Sequence, residues 1–400
     1  MSDEGLIIRK GFGLRKEVAE DLRRDYHSEL VRRARAEGYR LDWPGLTVRI
    51  AEEFGFCYGV ERAVDYAYEA RVRFPDRRLF VTGEIIHNPG VNRRLRELGY
   101  EFLDGAHGSA CGFDDLVPED VVLIPAFGVT TAMLDRLRKS GCVLVDTTCG
   151  SVLNVWRNVE NYARAGFTCF IHGKWNHEET QATASRALQH ENGHYLIVRD
   201  MGEAEAVAQH IERRGDRAAF LARFHHAVSP GFDPDRDLER LGAANQTTML
   251  SSESVAIAER LRAAMVVRWG AEEAAARFRS FDTICSATQD RQDAVLRMMA
   301  DPPDLMIIIG GFNSSNTGHL AELCAARVKT YHVEGADGLL DARCIRHKPV
   351  DSAELVVTEA WLPDRRVTVG LTAGASTPDR EIGRLIGRLL ELRGIPTEAA

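Results

Sequence analysis

Cys57, Cys149 and Cys285 stand singly in the chain, each between an apolar, strand-like run and an amphipathic, helix-like one. They lie in GFCYGVERAV (55–64), VDTTCGSV (145–152) and TICSATQDRQ (283–292). A cysteine that opens a helix meets unpaired backbone N–H groups and the positive end of the helix dipole, and both favour the thiolate. Three such thiolates from three strand ends could hold an iron–sulfur cluster that wants four ligands, with one iron left open. An open iron is a Lewis acid and an electron source at once, so the cluster would be a catalyst as well as a carrier. The plainer reading of any single one is a small buried hydrophobe. That reading is the expectation for Cys142 and Cys169, inside apolar runs, and for Cys111, Cys324 and Cys344, which have no supporting motif. Zinc is the natural competitor, but its structural sites use close C-x2–4-C pairs, and no such pair occurs.

A second set of residues is polar. The segment 310–316, GGFNSSN, follows the apolar run 305–309 and leads into a helix pattern. Its glycines let backbone approach a ligand, while Ser314, Ser315 and Asn316 offer hydroxyl, amide and helix N-terminal donors that suit a phosphate or diphosphate. It lacks the Gly-Lys-Ser/Thr ending of a Walker loop. The segment 372–376, TAGAS, repeats the arrangement after 367–371 and ends on Ser376. Each turn alone could be an N-cap; two in one chain favour the ligand reading. His87 (in IIHNP) and His177 (in WNHEET) could donate to an anion. Gln181 stands where a zinc protease would need its second histidine. Glu179 could be a general acid if a dry pocket raises its pKa; otherwise it is a solvated helix face. The hydroxyls of Gln246-Thr247-Thr248 could orient water or relay a proton, or simply cap a helix. His225 and His226 are adjacent, but successive strand residues point to opposite faces, so no metal site is expected there.

These residues must be carried by elements. From residue 46 onward, short β-rich runs alternate with helical patterns. Strands are expected at 48–50, 79–82, 121–125, 143–146, 167–171, 195–198, 218–222, 305–309, 330–333 and 367–371, with helices over 252–268 and 291–299 among others. Val, Ile and Leu runs without alternation indicate strands covered on both faces, as in parallel sheets. The expected fold class is therefore α/β, with ligands gathered beyond the carboxyl ends of the strands. The cysteine-bearing and polar motifs fall at those ends repeatedly. Residues 16–37 read as an appended helix, and 224–244 as a long irregular segment of the kind that is often functional.

Bulk properties narrow the class further. With 400 residues the chain can bury a large core in two or three domains. A net charge of −8 gives no basic excess for nucleic acid. The N-terminus lacks the apolar core of a signal peptide and carries Glu17, Glu20 and Asp21, unlike a transit sequence. No apolar run nears the roughly 20 residues of a spanning helix. Eight scattered cysteines do not form a secreted disulfide framework. A soluble, cytoplasmic protein without a nucleic-acid or membrane partner is expected.

Taken together, GFCYGVERAV, EIIHNPGVN, DTTCGSV, HGKWNHEETQATAS, NQTTML, TICSATQDRQ, GGFNSSN and TAGASTPD closely resemble the 4-hydroxy-3-methylbut-2-enyl diphosphate reductases (the IspH or LytB family) over residues 9–379. The segments RKGFG and GFDPD are similar to its plant and cyanobacterial branch. The resemblance implies three similar α/β domains with mostly parallel sheets, arranged pseudo-threefold around one central [4Fe–4S] cluster. The divisions would be an N-terminal helical extension (1–46), three α/β domains (47–148, 149–284 and 285–380) and a C-terminal helix and tail (381–400). It implies Cys57, Cys149 and Cys285 as ligands, and His87, His177, Thr247, Ser314, Ser315, Asn316 and Ser376 around the substrate. Glu179 would donate the proton, with Thr247 in the relay. The implied reaction is reductive dehydroxylation of an allylic diphosphate to isopentenyl and dimethylallyl diphosphate, the last step of the methylerythritol phosphate route. A ferredoxin- or flavodoxin-like donor would supply electrons, since no nucleotide-binding glycine fingerprint occurs. Two departures stand out. Phe127 replaces a histidine found in many bacterial members, and Gly150 replaces the usual proline after the second cysteine. Two rivals are a [4Fe–4S] lyase or synthase of the quinolinate synthase type and a non-catalytic cluster redox sensor. Neither would consume two reducing equivalents per turnover.

Overall fold

The computed structural model describes residues 7–104, 111–281, 284–350, 352 and 354–396. The chain forms two compact units, Met1–Ile8 with Ser109–Cys285, and Arg9–Gly108 with Ser286–Ala400. Both are α/β with mostly parallel sheets, as expected. The unit boundaries divide the expected first domain, 47–148, between them.

In the unit containing both chain segments 9–108 and 286–400, one sheet runs Thr330–Val333, Leu305–Ile309, Val367–Ala373, Leu46–Ile50 and Arg40–Trp43. All pairs are parallel except the last. All five residues of Leu305–Ile309 are buried, because helices cover both faces. Ile307 and Val369 pack under Ile382, Leu385 and Leu389 of helix Asp379–Leu392 and Val31 of helix Glu29–Ala36. On the other face Met306 and Ile308 meet Val295 of helix Ser286–Met298 and Leu320 of helix Ser315–Ala325. A parallel pair, Leu79–Val81 with Tyr100–Phe102, and an antiparallel pair, Cys344–His347 with Val356–Glu359, complete this unit's strands among the described residues.

The other unit holds an all-parallel sheet in the order Phe278–Ser280, Leu241–Asn245, Thr168–His172, Tyr195–Val198. Helices Met201–Arg213 and Ser251–Trp269 close one face through Val207, Ile211, Leu261 and Met265. Helix Gly150–Arg164 closes the other through Val155, Val159 and Tyr162. Ile7–Ile8, Val143–Asp146 and Val121–Ile124 form a further parallel set.

Three expectations change. Residues 218–222 lie in a helix, Arg217–Phe224, whose N-cap Asp216 accepts from the N–H groups of Ala218 and Ala219. The 16–37 helix is two helices, Arg15–Tyr26 and Glu29–Ala36, restarted by Ser28, whose hydroxyl accepts from Val31 N. The segment 224–244 contains the short helix Pro234–Asp237 and most of strand Leu241–Asn245. Among the described residues no helix is long and apolar enough to cross a membrane.

Candidate functional site

Parallel strands aim their carboxyl ends the same way, and the chemistry-bearing segments follow those ends. In the unit that holds residues 109–285, the segment 173–177 leaves Thr168–His172, 246–248 leaves Leu241–Asn245, and Cys285 follows Phe278–Ser280. Cys149 is the N-cap of helix Gly150–Arg164, reached from strand Val143–Asp146 through Thr147 and Thr148. Its N–H donates to the Ala126 carbonyl at 2.8 Å. The next residue, Phe127, sets its ring edge-on to His177, with centroids 6.4 Å apart. His177 is the N-cap of helix Glu178–Ala187, and its Nδ1 accepts from Glu179 N at 3.1 Å. An Nδ1 that accepts fixes the neutral ring's proton on Nε2. Glu179 is 3% exposed, and its Oε1 accepts from Thr247 N at 2.6 Å. The Thr247 carbonyl in turn accepts from Cys285 N at 3.4 Å. One line of contacts thus runs from Cys149 through Phe127, His177, Glu179 and Thr247 to Cys285.

Phe127, which stands where many bacterial members have histidine, thus offers His177 a ring edge in place of a hydrogen-bonding side chain. Trp175, in the same loop, stacks on His226 with centroids 4.8 Å apart and planes at 17°. His226 and His225 lie just past helix Arg217–Phe224 with their rings together. Among the described residues they belong to no group of three metal-ligating side chains.

The second half of the predicted set lies in the other unit. Cys57 caps helix Tyr58–Arg73, and its N–H donates to the Ala375 carbonyl at 3.2 Å. Ala375 N donates to Asn316 Oδ1 at 3.0 Å, and Ser376 Oγ donates to the His87 carbonyl at 3.1 Å. Ser314 caps helix Ser315–Ala325, and its Oγ accepts from the N–H and the hydroxyl of Thr317. Ser314, Ser315, Asn316 and Ser376 are all buried, and Asn316 Nδ2 lacks a hydrogen-bond partner. A buried amide donor without a partner is costly in an empty site and is what a bound anion would satisfy.

Several contributors escaped sequence reasoning. Glu84 lies 2.9 Å from His87 Nδ1 and accepts from Asn313 Nδ2 at 3.0 Å, so it sets the histidine's orientation. The spacing Glu-x-x-His could have flagged it. Gln246 Oε1 accepts from Thr180 Oγ1 and Lys174 N, tying the 173–177 loop to the 246–248 turn. Arg291 donates to the Gly55 carbonyl at 2.6 Å, bracing the approach to Cys57. No local pattern announces either.

Six of the eight cysteines fall into two kinds, to neither of which Cys111 and Cys344 belong. Cys169 and Cys324 lie in hydrophobic cores, where burial pushes their thiols up to about 12. Burial also raises Cys142. Cys57, Cys149 and Cys285 are only half-buried and stand at or next to helix N-termini. A donor set of accessible, helix-assisted thiols fits a soft metal centre such as an iron–sulfur cluster.

The fold and these residues define an α/β protein in which, within each unit, the thiols, the buried carboxylate and the donor-rich turns follow the ends of parallel strands. The family model "LytB protein" matches residues 48–390, and the chain belongs to the LytB family. It is 49% identical over 397 residues to 4-hydroxy-3-methylbut-2-enyl diphosphate reductase of Gloeobacter violaceus, covering 98% of this chain and 94% of that one. The relative of the same name from Thermosynechococcus vestitus is 48% identical over 390 residues, covering 97% and 95%. In fold, the chain resembles the solved E-1-hydroxy-2-methyl-but-2-enyl-4-diphosphate reductase of Plasmodium falciparum, with TM-score 0.63, 20% identity, and coverage of 87% and 90%. A solved (E)-4-hydroxy-3-methyl-but-2-enyl diphosphate reductase gives TM-score 0.51 at 27% identity, covering 86% and 99%.

Proposed function

We propose that this chain is a 4-hydroxy-3-methylbut-2-enyl diphosphate reductase, acting at the last step of the methylerythritol phosphate route in a cytoplasmic setting. Cys57, Cys149 and Cys285 would ligate one [4Fe–4S] cluster, taken as one thiolate from each of three α/β domains. A ferredoxin- or flavodoxin-like protein would deliver the electrons. The observation that carries the reading is the buried Glu179 carboxyl, held on Thr247 N–H within a contact line that ends on two of the proposed ligands.

The reaction breaks one C–O bond, consumes two electrons and two protons, and releases water with isopentenyl or dimethylallyl diphosphate. When bound, the cluster supplies the electrons and a Lewis-acidic iron. Everything else falls to the chain. Glu179 Oε1 is occupied as an acceptor from Thr247 N, so Oε2 is the oxygen that would carry a proton to the leaving group. Thr247, which fixes that orientation through its backbone, offers its hydroxyl as a relay. His177 and His87, with Ser314, Ser315, Asn316 and Ser376, bind the diphosphate. The diphosphate is a remote handle that fixes the alcohol in position and excludes water.

Glu179→Gln keeps the size and the Thr247 contact but carries no transferable proton. Turnover is expected to fall by ~10²–10⁴, with iron and sulfide content and the absorbance of the anaerobically purified protein unchanged. Turnover at the parent rate would remove Glu179 from the mechanism. Cys149→Ala is expected to lower iron content directly.

A further inference from the structure

A turn that binds an anion must aim its carbonyl oxygens elsewhere. In the turn at 310–316, three successive carbonyls are tied back by named donors. Gly310 O accepts from His332 Nε2 at 3.0 Å, Gly311 O from Ser314 N at 3.0 Å, and Phe312 O from Lys348 Nζ at 3.1 Å. The turn is left with a surplus of donors, of which the partnerless Asn316 Nδ2 is one. Gly310 permits the geometry: its φ is +151°, and a side chain there would press on the hydroxyls of Thr317 and Thr377.

His332, in strand Thr330–Val333, and Lys348, just past strand Cys344–His347, are themselves coupled. Lys348 N donates to His332 O at 2.9 Å, and the Phe312 ring packs edge-on to the His332 ring at 5.1 Å. His332 is 4% exposed. Burial holds its pKa down at about 4, so the ring is neutral and its single proton sits on Nε2, bonded to Gly310 O. Lys348 is placed by the strand Cys344–His347 that immediately precedes it. A cation on the carbonyl side of a peptide aligns that peptide's dipole, N–H side outward, toward a negative ligand.

We propose that Lys348 and His332 are positioning residues for the diphosphate: they act through the carbonyls of Phe312 and Gly310 and make the 310–316 turn an anion site built from neutral first-contact groups. The inference rests on the reading of this turn as the diphosphate site.

The test uses the cluster-loaded enzyme with inorganic diphosphate as a competitive inhibitor beside the substrate. In Lys348→Met, KM and the inhibition constant of diphosphate are expected to rise together by about tenfold, the scale of a lost charge-assisted hydrogen bond. kcat should stay within about twofold, and Lys348→Arg should restore both constants. Unchanged constants in Lys348→Met, with raised ones in Asn316→Ala, would overturn the inference and leave the site reading standing. Unchanged constants in Asn316→Ala as well would overturn the site reading. A loss of kcat at constant KM, or no rescue by arginine, would reduce Lys348 to a structural role and also overturn the proposal. Should Lys348→Met not fold, His332→Gln carries the same comparison.

Discussion

Gly150 occupies the first position of helix Gly150–Arg164, directly after the proposed ligand Cys149. A Cβ there meets nothing within 4 Å, and Cys149 is extended at φ −64°, ψ 144°, the conformation favoured before proline. Proline belongs at such a position because its missing N–H is not needed and its φ is preset. Gly150→Pro is therefore expected to stabilise by about 0.4–1 kcal/mol, chiefly by restricting the unfolded chain. A urea titration against the parent would show it, and a lowered midpoint would mean that the loop needs glycine. His332 gives a pH-dependent counterpart. Its pKa is about 4 folded and about 6.5 unfolded, so the unfolded chain takes up the proton first as pH falls. The stability it permits is complete above pH 6.5 and is lost progressively down to about pH 4, roughly 3 kcal/mol in all. His332→Gln should flatten that part of the acid limb in urea titrations at pH 7 and pH 5; an equally steep limb would contradict the burial effect. The residues proposed to touch ligand could be singled out because their types and local spacing suggest chemistry. Arg291, His332 and Lys348 could not, because each acts on a backbone carbonyl that only folding brings near.

Strands with continuous apolar runs, such as Leu305–Ile309 and Val121–Ile124, were readable because a parallel strand covered on both faces needs little else. Leu241–Asn245 was not, since Leu-Gly-Ala-Ala-Asn has no β-branched residue. Its small side chains answer to a neighbour instead. The Tyr162 ring lies over Gly242, where an added Cβ would come within 2.3 Å of it, and Tyr162 donates its hydroxyl proton to the Ala243 carbonyl. Gly242→Ala should thus cost about 1–3 kcal/mol through overpacking, read as a lowered urea midpoint. Parent-like stability would mean that the helix Gly150–Arg164 shifts freely on this sheet. The opposite error arose at 218–222, where Ala-Ala-Phe-Leu-Ala reads as apolar strand. Alanine's helix propensity and the Asp216 cap decide for helix.

At the scale of the molecule, the chain passes from one compact unit to the other after Ile8, Gly108 and Cys285. Neither unit is a continuous stretch, so no linker composition could mark their boundary, and the threefold division came from resemblance alone. The same discontinuity bears on the N-terminal extension. Read along the sequence it is an appended helix; in the fold, Val31, Ala34, Leu41 and Trp43 are part of the core under Ile307 and Val369. Strand Arg40–Trp43 closes the sheet edge against Leu46–Ile50, with Leu41 opposite Val48. Removing residues 1–44 would uncover that edge and leave the apolar face of helix Asp379–Leu392 without its partner Glu29–Ala36, so the truncated chain is expected to aggregate or to lose cooperative unfolding. The graded version keeps the test quantitative: Leu41→Ala, fully buried, should cost about 2–5 kcal/mol in urea unfolding. A truncated protein with the parent's Tm would show that the extension is an attachment after all, whereas loss of stability before any change in KM would show that it works as part of the sheet.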